Sequence, residues 1–346
     1  MIAKTCRPMN KRAVLVWHLA AAFALLCSSS VSAQTPPGYM ASERPDASGT
    51  PTRVELGLYL LDLSQIVDPR QEFSVDIHLT AKWRDTRLAT NEEDVVLRTL
   101  LRKEVWNPSL GALNRRAVTQ LLPETVKVDS SGNVQYDQRI QGDFSSSFDL
   151  RQFPHDRQEL IIRIASYYYG PDELEIQVNE AKTGRLDDLS VAGWVVGQPA
   201  VDVASLVIPG GKTRSGLTFK VEVERETTYY FLTMVIPLLL IALMAWSVFW
   251  IDPAFLPSQI GVSTASVFSL IAFRLGLSLS LPKVAYLTRA DALIMAVTVL
   301  VFAAFGEAVL TGALSKAGRG DLARTVDRWA RWAYMAILVV VGFSLV

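Results

Sequence analysis

Along residues 52–226 apolar and polar positions alternate in short stretches broken by turn residues. Arg53-Val54-Glu55-Leu56-Gly57-Leu58-Tyr59-Leu60 opens the pattern. Glu72-Phe73-Ser74-Val75-Asp76-Ile77-His78-Leu79-Thr80 continues it, with the every-other-residue period of half-buried strands. Val126-Lys127-Val128 and Val134-Gln135-Tyr136 flank Asp129-Ser130-Ser131-Gly132-Asn133, which reads as a hairpin turn. Leu160-Ile161-Ile162-Arg163-Ile164 and Thr218-Phe219-Lys220-Val221-Glu222-Val223 supply further strands. Many short strands at this spacing predict an all-β sandwich. Only 91–99 reads as helical, and the Pro-, Gly- and Ser-rich stretch 34–51 reads as a flexible leader.

From 229 to 346 the pattern changes to long apolar runs, at about 230–250, 259–281, 290–314 and 329–346. Each is close to the roughly 20 residues that cross a bilayer, so this part predicts a four-helix transmembrane bundle. The first run contains Pro237, which a membrane helix tolerates where neighbours satisfy the freed carbonyl. The second is unlike the others. It carries Gly261, Ser263, Thr264, Ser266, Ser269, Gly276, Ser278 and Ser280, and its one charge is Arg274. A helix facing lipid does not need so many hydroxyls, whereas a helix facing water inside a membrane does. The competing reading is a buried bundle helix whose hydroxyls bond to its neighbours.

The N-terminus reads as a secretory signal, 1–33. Lys4, Arg7, Lys11 and Arg12 precede an apolar stretch, and Val31-Ser32-Ala33 has the spacing of a cleavage site. An uncleaved anchor is the alternative, but the apolar stretch falls short of a span. Both cysteines, Cys6 and Cys27, lie in this segment, and Leu26 is bulky for a lipoprotein site. The remainder then has no disulfide, thiol nucleophile or cysteine metal site, and no metal or other cofactor is expected. Lys316, Arg319, Arg324 and Arg328 bias the connector 315–328 to the cytoplasmic side. Signal and charge bias thus agree on an N-terminal domain outside the bacterial inner membrane, in the periplasm. The chain has 34 basic and 34 acidic residues, a balance that speaks against nucleic acid as a partner.

Several motifs then converge. Trp83-Arg84-Asp85-Thr86-Arg87-Leu88, Trp106-Asn107-Pro108, Phe153-Pro154-His155-Asp156 and Leu281-Pro282-Lys283-Val284-Ala285-Tyr286 occur in this order. Together they resemble the signature strand, the Trp-x-Pro element, the tip of the signature loop and the pore-helix linker of pentameric ligand-gated ion channels, the Cys-loop receptor superfamily. The loop cysteines are absent, and the short connector is similar to the prokaryotic branch. The resemblance implies a homopentamer around a central pore. It also implies an extracellular β-sandwich at 52–226 that binds a small-molecule agonist, or protons, between subunits. Permeant inorganic ions and membrane lipid are the other expected partners.

Carried onto this chain, the resemblance puts Pro257, Gly261, Ala265, Phe268, Ala272, Leu275 and Leu279 on the pore face, with Phe268 as the central gate ring. These positions recur at steps of three or four, as one helical face requires. The neighbouring face, Val262, Ser266, Ser269, Phe273 and Gly276, is no less polar, and hydroxyls alone do not choose between the two. A narrow apolar ring can block ions by dewetting. The inner mouth reads Pro257-Ser258-Gln259, with neither the Glu of the family's cation channels nor the Arg of its anion channels. That implies weak selectivity with a lean to anions, with Asp252 as a nearby negative charge.

For the agonist, Ser166-Tyr167-Tyr168-Tyr169 falls where the family places an aromatic binding loop, giving Tyr167 and Tyr169. His78 and Thr80 would come from the facing strand of the next subunit. Tyrosine faces attract cations, yet tyrosines in strands are usually packing residues. The capping loop 206–217 offers Lys212 and Arg214 but no aromatic residue, which admits an acidic agonist. Asp68, Asp156 and Arg225 match the family's charged gating cluster, and Pro282 and Tyr286 match the linker that it pushes. His155 in the signature loop is a candidate for proton modulation. The alternative function is a membrane-anchored periplasmic sensor or binding protein without ion conduction. An enzyme is not expected, since no phosphate loop, metal cluster or nucleophile motif is present.

Overall fold

The computed structural model describes residues 35–46, 49–90, 97–277 and 284–345. The proposed signal 1–33, most of the 91–99 stretch, Leu279 and Pro282 lie outside the described residues. The strands are β1 (Thr52–Val67), β2 (Glu72–Arg84), β3 (Arg98–Leu101), β4 (Leu110–Ala112), β5 (Arg115–Gln120), β6 (Thr125–Val128), β7 (Asn133–Ser145), β8 (Arg157–Ser166), β9 (Leu174–Val178), β10 (Gly184–Arg185), β11 (Trp194–Val207) and β12 (Thr213–Arg225). The helices are α1 (Thr228–Trp250), α2 (Leu256–Leu277), α3 (Arg289–Lys316) and α4 (Gly320–Leu345).

The chain divides into two compact units. The smaller takes in Arg84–Asn107, Glu124–Tyr136 and the leader up to Pro45. In it β6 pairs with β3 and returns into the start of β7 through the turn at 129–132. Asp129 accepts from the N–H groups of Ser131 (2.9 Å) and Asn133 (2.8 Å), and Gly132 takes a φ of +79°. A side chain there would run into the backbone of Asp85, whose N–H donates to Gly132 O at 2.8 Å. The leader is not free throughout. Tyr39 donates to Asp85 at 2.8 Å and accepts from the N–H of Trp106 at 2.8 Å, and its ring lies under Arg87. Burial pushes the Tyr39 hydroxyl up to about 12; the Trp106 N–H opposes this and the Asp85 carboxylate adds to it. The helical expectation for 91–99 fails at its end, because Arg98 and Thr99 pair with Val128 and Lys127 in β3.

The larger unit contains a β-sandwich and the helices. One sheet runs β10-β1-β2-β7, with β9 also on β1 and β5 on β7; the other runs β11-β12-β8-β4. Alternation fills the core: Val54, Leu56, Leu58 and Leu60 of β1 are buried, as are Leu160, Ile162 and Ile164 of β8 and Leu217, Phe219, Val221 and Val223 of β12. Each such side chain contributes about 1.5–3 kcal/mol of transfer free energy.

Among the described residues, three helices are long and apolar enough to cross a membrane: Thr228–Trp250, Pro253–Leu277 and Arg289–Lys316. In α1 a π-helical stretch, Phe231–Val235, leads directly into Pro237, so the loosened turn lies where proline withholds a donor. Helix α3 starts with a capping box between Thr288 and Asp291. The connector expected at 315–328 is much shorter, because α4 begins at Gly320. The charges read as a loop sit instead on helical turns, where Asp321–Arg324 (2.7 Å) and Asp327–Arg331 (3.7 Å) fall at i,i+3 and i,i+4.

Candidate functional site: domain junction, pore helix and aromatic loop

Where β12 runs into α1, Arg225 is 5% exposed and Asp156 2% exposed. Arg225 Nε lies 2.8 Å from Asp156 Oδ1, and Nη2 lies 3.2 Å from Asp156 Oδ2 and 2.9 Å from Asp68 Oδ1. The third donor, Nη1, reaches the Tyr230 hydroxyl at 3.3 Å. The guanidinium plane is sandwiched by rings, 4.1 Å from Trp194 and 4.9 Å from Phe153. Gln158 Nε2 donates to the second oxygen of Asp156 at 2.6 Å. Burial pulls the Arg225 guanidinium down, but hydrogen bonds to Asp156 and Asp68 outweigh it and hold the pKa above its ordinary value. Burial raises the Asp68 carboxyl above 3.8 and Asp156 adds to that, against the opposing pull of Arg225.

The loop carrying Phe153 and Asp156 also reaches the helices. Its carbonyls at Arg151 and Phe153 accept from the N–H groups of Arg289 (3.1 Å) and Ala290 (3.2 Å), which opens α3. Tyr286 accepts from the N–H of Leu150 at 2.9 Å and donates to Phe148 O at 3.4 Å, with Arg151 4.9 Å from its ring. Asp68, Asp156 and Arg225 are thus directly bonded. Tyr286 joins them through the 148–156 loop. The aromatic lid of Trp194, Phe153 and Tyr230 was not singled out from sequence; its only signal was the aromatic residue ahead of Pro154. His155 at the loop tip is exposed.

On α2 the described members of the expected pore face, Pro257, Gly261, Ala265, Phe268, Ala272 and Leu275, are all exposed on the subunit, Phe268 by 66%. The competing face is divided: Ser266 is buried, Val262 and Phe273 are partly covered, and Ser269 and Gly276 are exposed. The hydroxyl argument pointed the wrong way for two key residues. Ser263 and Ser266 are buried in the bundle, and Ser266 donates to Val262 O at 2.9 Å. Small hydroxyl residues let helices approach closely while bonding to their own backbone. In the first turn of α2 Gln259 is also buried and donates to Ile251 O at 2.9 Å, while Asp252 is exposed.

The aromatic loop after β8 is fixed from within. Ser166 Oγ donates to Pro108 O (2.8 Å) and accepts from the N–H groups of Tyr168 (3.3 Å) and Tyr169 (3.0 Å). The Tyr167 ring lies against Gly111, where a Cβ would collide with it. Tyr167 is 38% exposed and Tyr168 69%, so the more accessible ring is one the sequence reading passed over. His78 and Thr80 share a face of β2 and converge on Asp137. Thr80 Oγ1 donates to it at 3.0 Å, and His78 Nε2 lies 3.6 Å from the same oxygen. Thr80 is only 4% exposed, which leaves His78 as the accessible member of the pair.

A β-sandwich that clamps the first turn of membrane-length helices through a buried ion cluster is the build of a ligand-gated channel subunit. The chain belongs to the neurotransmitter-gated ion-channel family: residues 29–227, more than half of it, match the family's ligand-binding domain. The protein is a ligand-gated ion channel with an extracellular N-terminal domain. It is 24% identical over 310 residues to the proton-gated ion channel of Gloeobacter violaceus, covering 88% of this chain and 86% of that protein. It is 26% identical over 280 residues to the gamma-aminobutyric acid receptor subunit beta-4 of Gallus gallus. That match covers 78% of this chain and 57% of the chicken subunit.

Proposed function

We propose that five copies of this chain surround a central pore in the bacterial inner membrane, with α4 as the fourth span of each subunit. The face of α2 running through Phe268, Ala272 and Leu275 lines the pore, and Leu279 extends it. The observation that carries this reading is that Pro257, Gly261, Ala265, Phe268, Ala272 and Leu275 are all exposed on the subunit, on the side of α2 opposite the buried Gln259, Ser263, Ser266 and Leu270. A stripe of that kind needs covering by other copies or by lipid. A ring of Phe268 side chains gates by excluding water. The inner mouth offers Pro257 and Ser258 with no ring of charge, so the pore is weakly selective with a lean to anions.

Agonist, a small amine or acid or a proton, binds between adjacent sandwiches. Tyr167 and Tyr169 lie on one side, His78 with Thr80 behind it on the other. The movement passes through Asp68, Asp156 and Arg225 to Pro282 and Tyr286. The test is current across a voltage-clamped membrane holding the purified protein in an asymmetric salt gradient, with pH steps, then amines, then small acids. Evoked current with an anion-side reversal potential is expected. A cation-side reversal would sink the selectivity reading. Phe268→Ala should raise the current without agonist; an unchanged baseline would remove Phe268 from the gate. His155→Phe should flatten any pH response, and an unaltered response takes His155 out of it.

A further inference from the structure

Glu307 lies in α3, nearer Lys316 than Arg289, and is the one ionisable residue between Asp291 and Lys316. Both of its carboxylate oxygens are buried, and among the described residues neither has a hydrogen-bond partner. Asp327 of α4 acts on it electrostatically. The Asp327 side chain is 7% exposed, and its Oδ1 is likewise buried without a partner among the described residues. Its Oδ2 lies 3.7 Å from Arg331 Nη2, longer than a hydrogen bond.

Arg331 is engaged elsewhere. Its Nη2 donates to Phe249 O at 2.5 Å, and its guanidinium lies 4.0 Å over the Trp250 ring. The other elements packed on α3 add little positive charge. The turn before α2 contributes Asp252, which acts on Asp327. The inner part of α1 has no ionisable residue, and the charge of α2 is Arg274 in its last turn, at the other end. On α4, Tyr334 donates to Ala242 O, and Arg324 is bonded to Asp321. Three of the four carboxylate oxygens of Glu307 and Asp327 are therefore buried without a hydrogen-bond partner among the described residues.

A buried carboxylate without donors is far more costly than a neutral one, and two that act on each other cannot both stay charged cheaply. A proton taken up by the pair removes one of the two buried charges. A metal ion would need more ligands: the described residues hold no group of three or more His, Cys, Asp or Glu arranged for one. We propose that Glu307 and Asp327 form a proton-binding site inside the helix bundle of each subunit, one proton being held between the two carboxylates. The site is separate from the exposed stripe of α2 and from the tyrosine loop, and the proposal does not depend on ion conduction.

The test is infrared spectroscopy of the full-length protein in liposomes as the pH is stepped from mildly acidic to alkaline. Wild type should show a protonated-carboxyl band that persists at neutral pH and disappears at higher pH. Glu307→Gln should remove it. Asp327→Asn takes away the facing negative charge, so the remaining carboxyl should release its proton at lower pH, by on the order of one pH unit. No such band in wild type, a band untouched by Glu307→Gln, or an unmoved titration in Asp327→Asn overturns the proposal. If Glu307→Gln does not fold, the Asp327→Asn titration decides alone.

Discussion

Two buried sets of one arginine and two carboxylates, one where β12 runs into α1 and the other on α3 and α4, are completed differently. At the junction with the sandwich, Arg225 gives Nε, Nη1 and Nη2 to Asp156, Tyr230 and Asp68, and Trp194 and Phe153 cover its plane. In the helices, Arg331 donates to the Phe249 carbonyl, and Glu307 and Asp327 are left with unbonded oxygens among the described residues. The charge count is the same in both. What differs is hydrogen-bond satisfaction. A fully bonded network in low dielectric holds one geometry, whereas an incomplete one invites a change of protonation. The first arrangement suits a mechanical joint and the second suits a proton site.

The largest effect should come from breaking the satisfied cluster. Arg225→Ala leaves Asp68 and Asp156 buried without a counter-charge, which costs about 3–5 kcal/mol. Denaturant unfolding should show that loss, and evoked current should vanish. If assembly is also lost, on size exclusion, Arg225 serves folding rather than gating. Arg331→Leu should cost less, about 1–3 kcal/mol, because Glu307 and Asp327 can neutralise by taking up protons. Acidification should restore most of its stability but only part of that of Arg225→Ala, which also loses the Tyr230 bond and the ring contacts with Trp194 and Phe153. Equal, pH-independent losses in the two variants would erase the contrast drawn between the clusters.

The two clusters were not equally legible in the sequence. Asp156 could be picked out because it lies in Phe153-Pro154-His155-Asp156, and Asp68 and Arg225 because their positions match the charged cluster of the family that the chain resembles. Glu307 and Asp327 carry no motif. Glu307 was absorbed into an apolar run and Asp327 into a presumed loop, since the helix start at Gly320 cannot be read from a charge-rich stretch. Period-two alternation located the strands because each has a single apolar register to bury. The α2 hydroxyls misled because a serine bonding its own helix, as Ser266 does, looks identical in sequence to one facing water.

Within the satisfied cluster, Asp68 is the carboxyl that burial moves toward protonation. Its carboxyl is raised above 3.8, chiefly by burial. For a group raised in the folded state, the stabilising contribution is complete below the unfolded pKa and declines as pH rises through the folded one. Acid therefore does not remove stability through Asp68. It weakens the bond between Asp68 and Arg225. Asp68→Asn should accordingly mimic the acid state, leaving melting in mild acid nearly unchanged and flattening the acid response of the current. A full acid response in the variant would exclude Asp68 as the acid-sensitive link.

A small and local effect is expected at a further buried carboxylate, Asp85, which tests whether redundancy protects a satisfied cluster. Asp85 is fully buried and accepts from the backbone N–H of Arg87 (3.1 Å), Arg87 Nε (2.9 Å), Arg87 Nη2 (2.8 Å) and the Tyr39 hydroxyl (2.8 Å). Tyr39→Phe removes one donor of four and leaves the Trp106 N–H without its hydroxyl acceptor. The ring stays under Arg87, and the carboxylate keeps its counter-charge, so no unpaired charge is created. The loss should be about 1–2 kcal/mol, the value of one or two ordinary hydrogen bonds. It should appear as protease sensitivity in the leader before any change in global melting, because Tyr39 anchors a segment otherwise short of buried contacts. If Tyr39→Phe instead costs as much as Arg225→Ala, then single hydrogen bonds decide the stability of these clusters. The distinction between a completed and an incomplete charge balance would then lose its force.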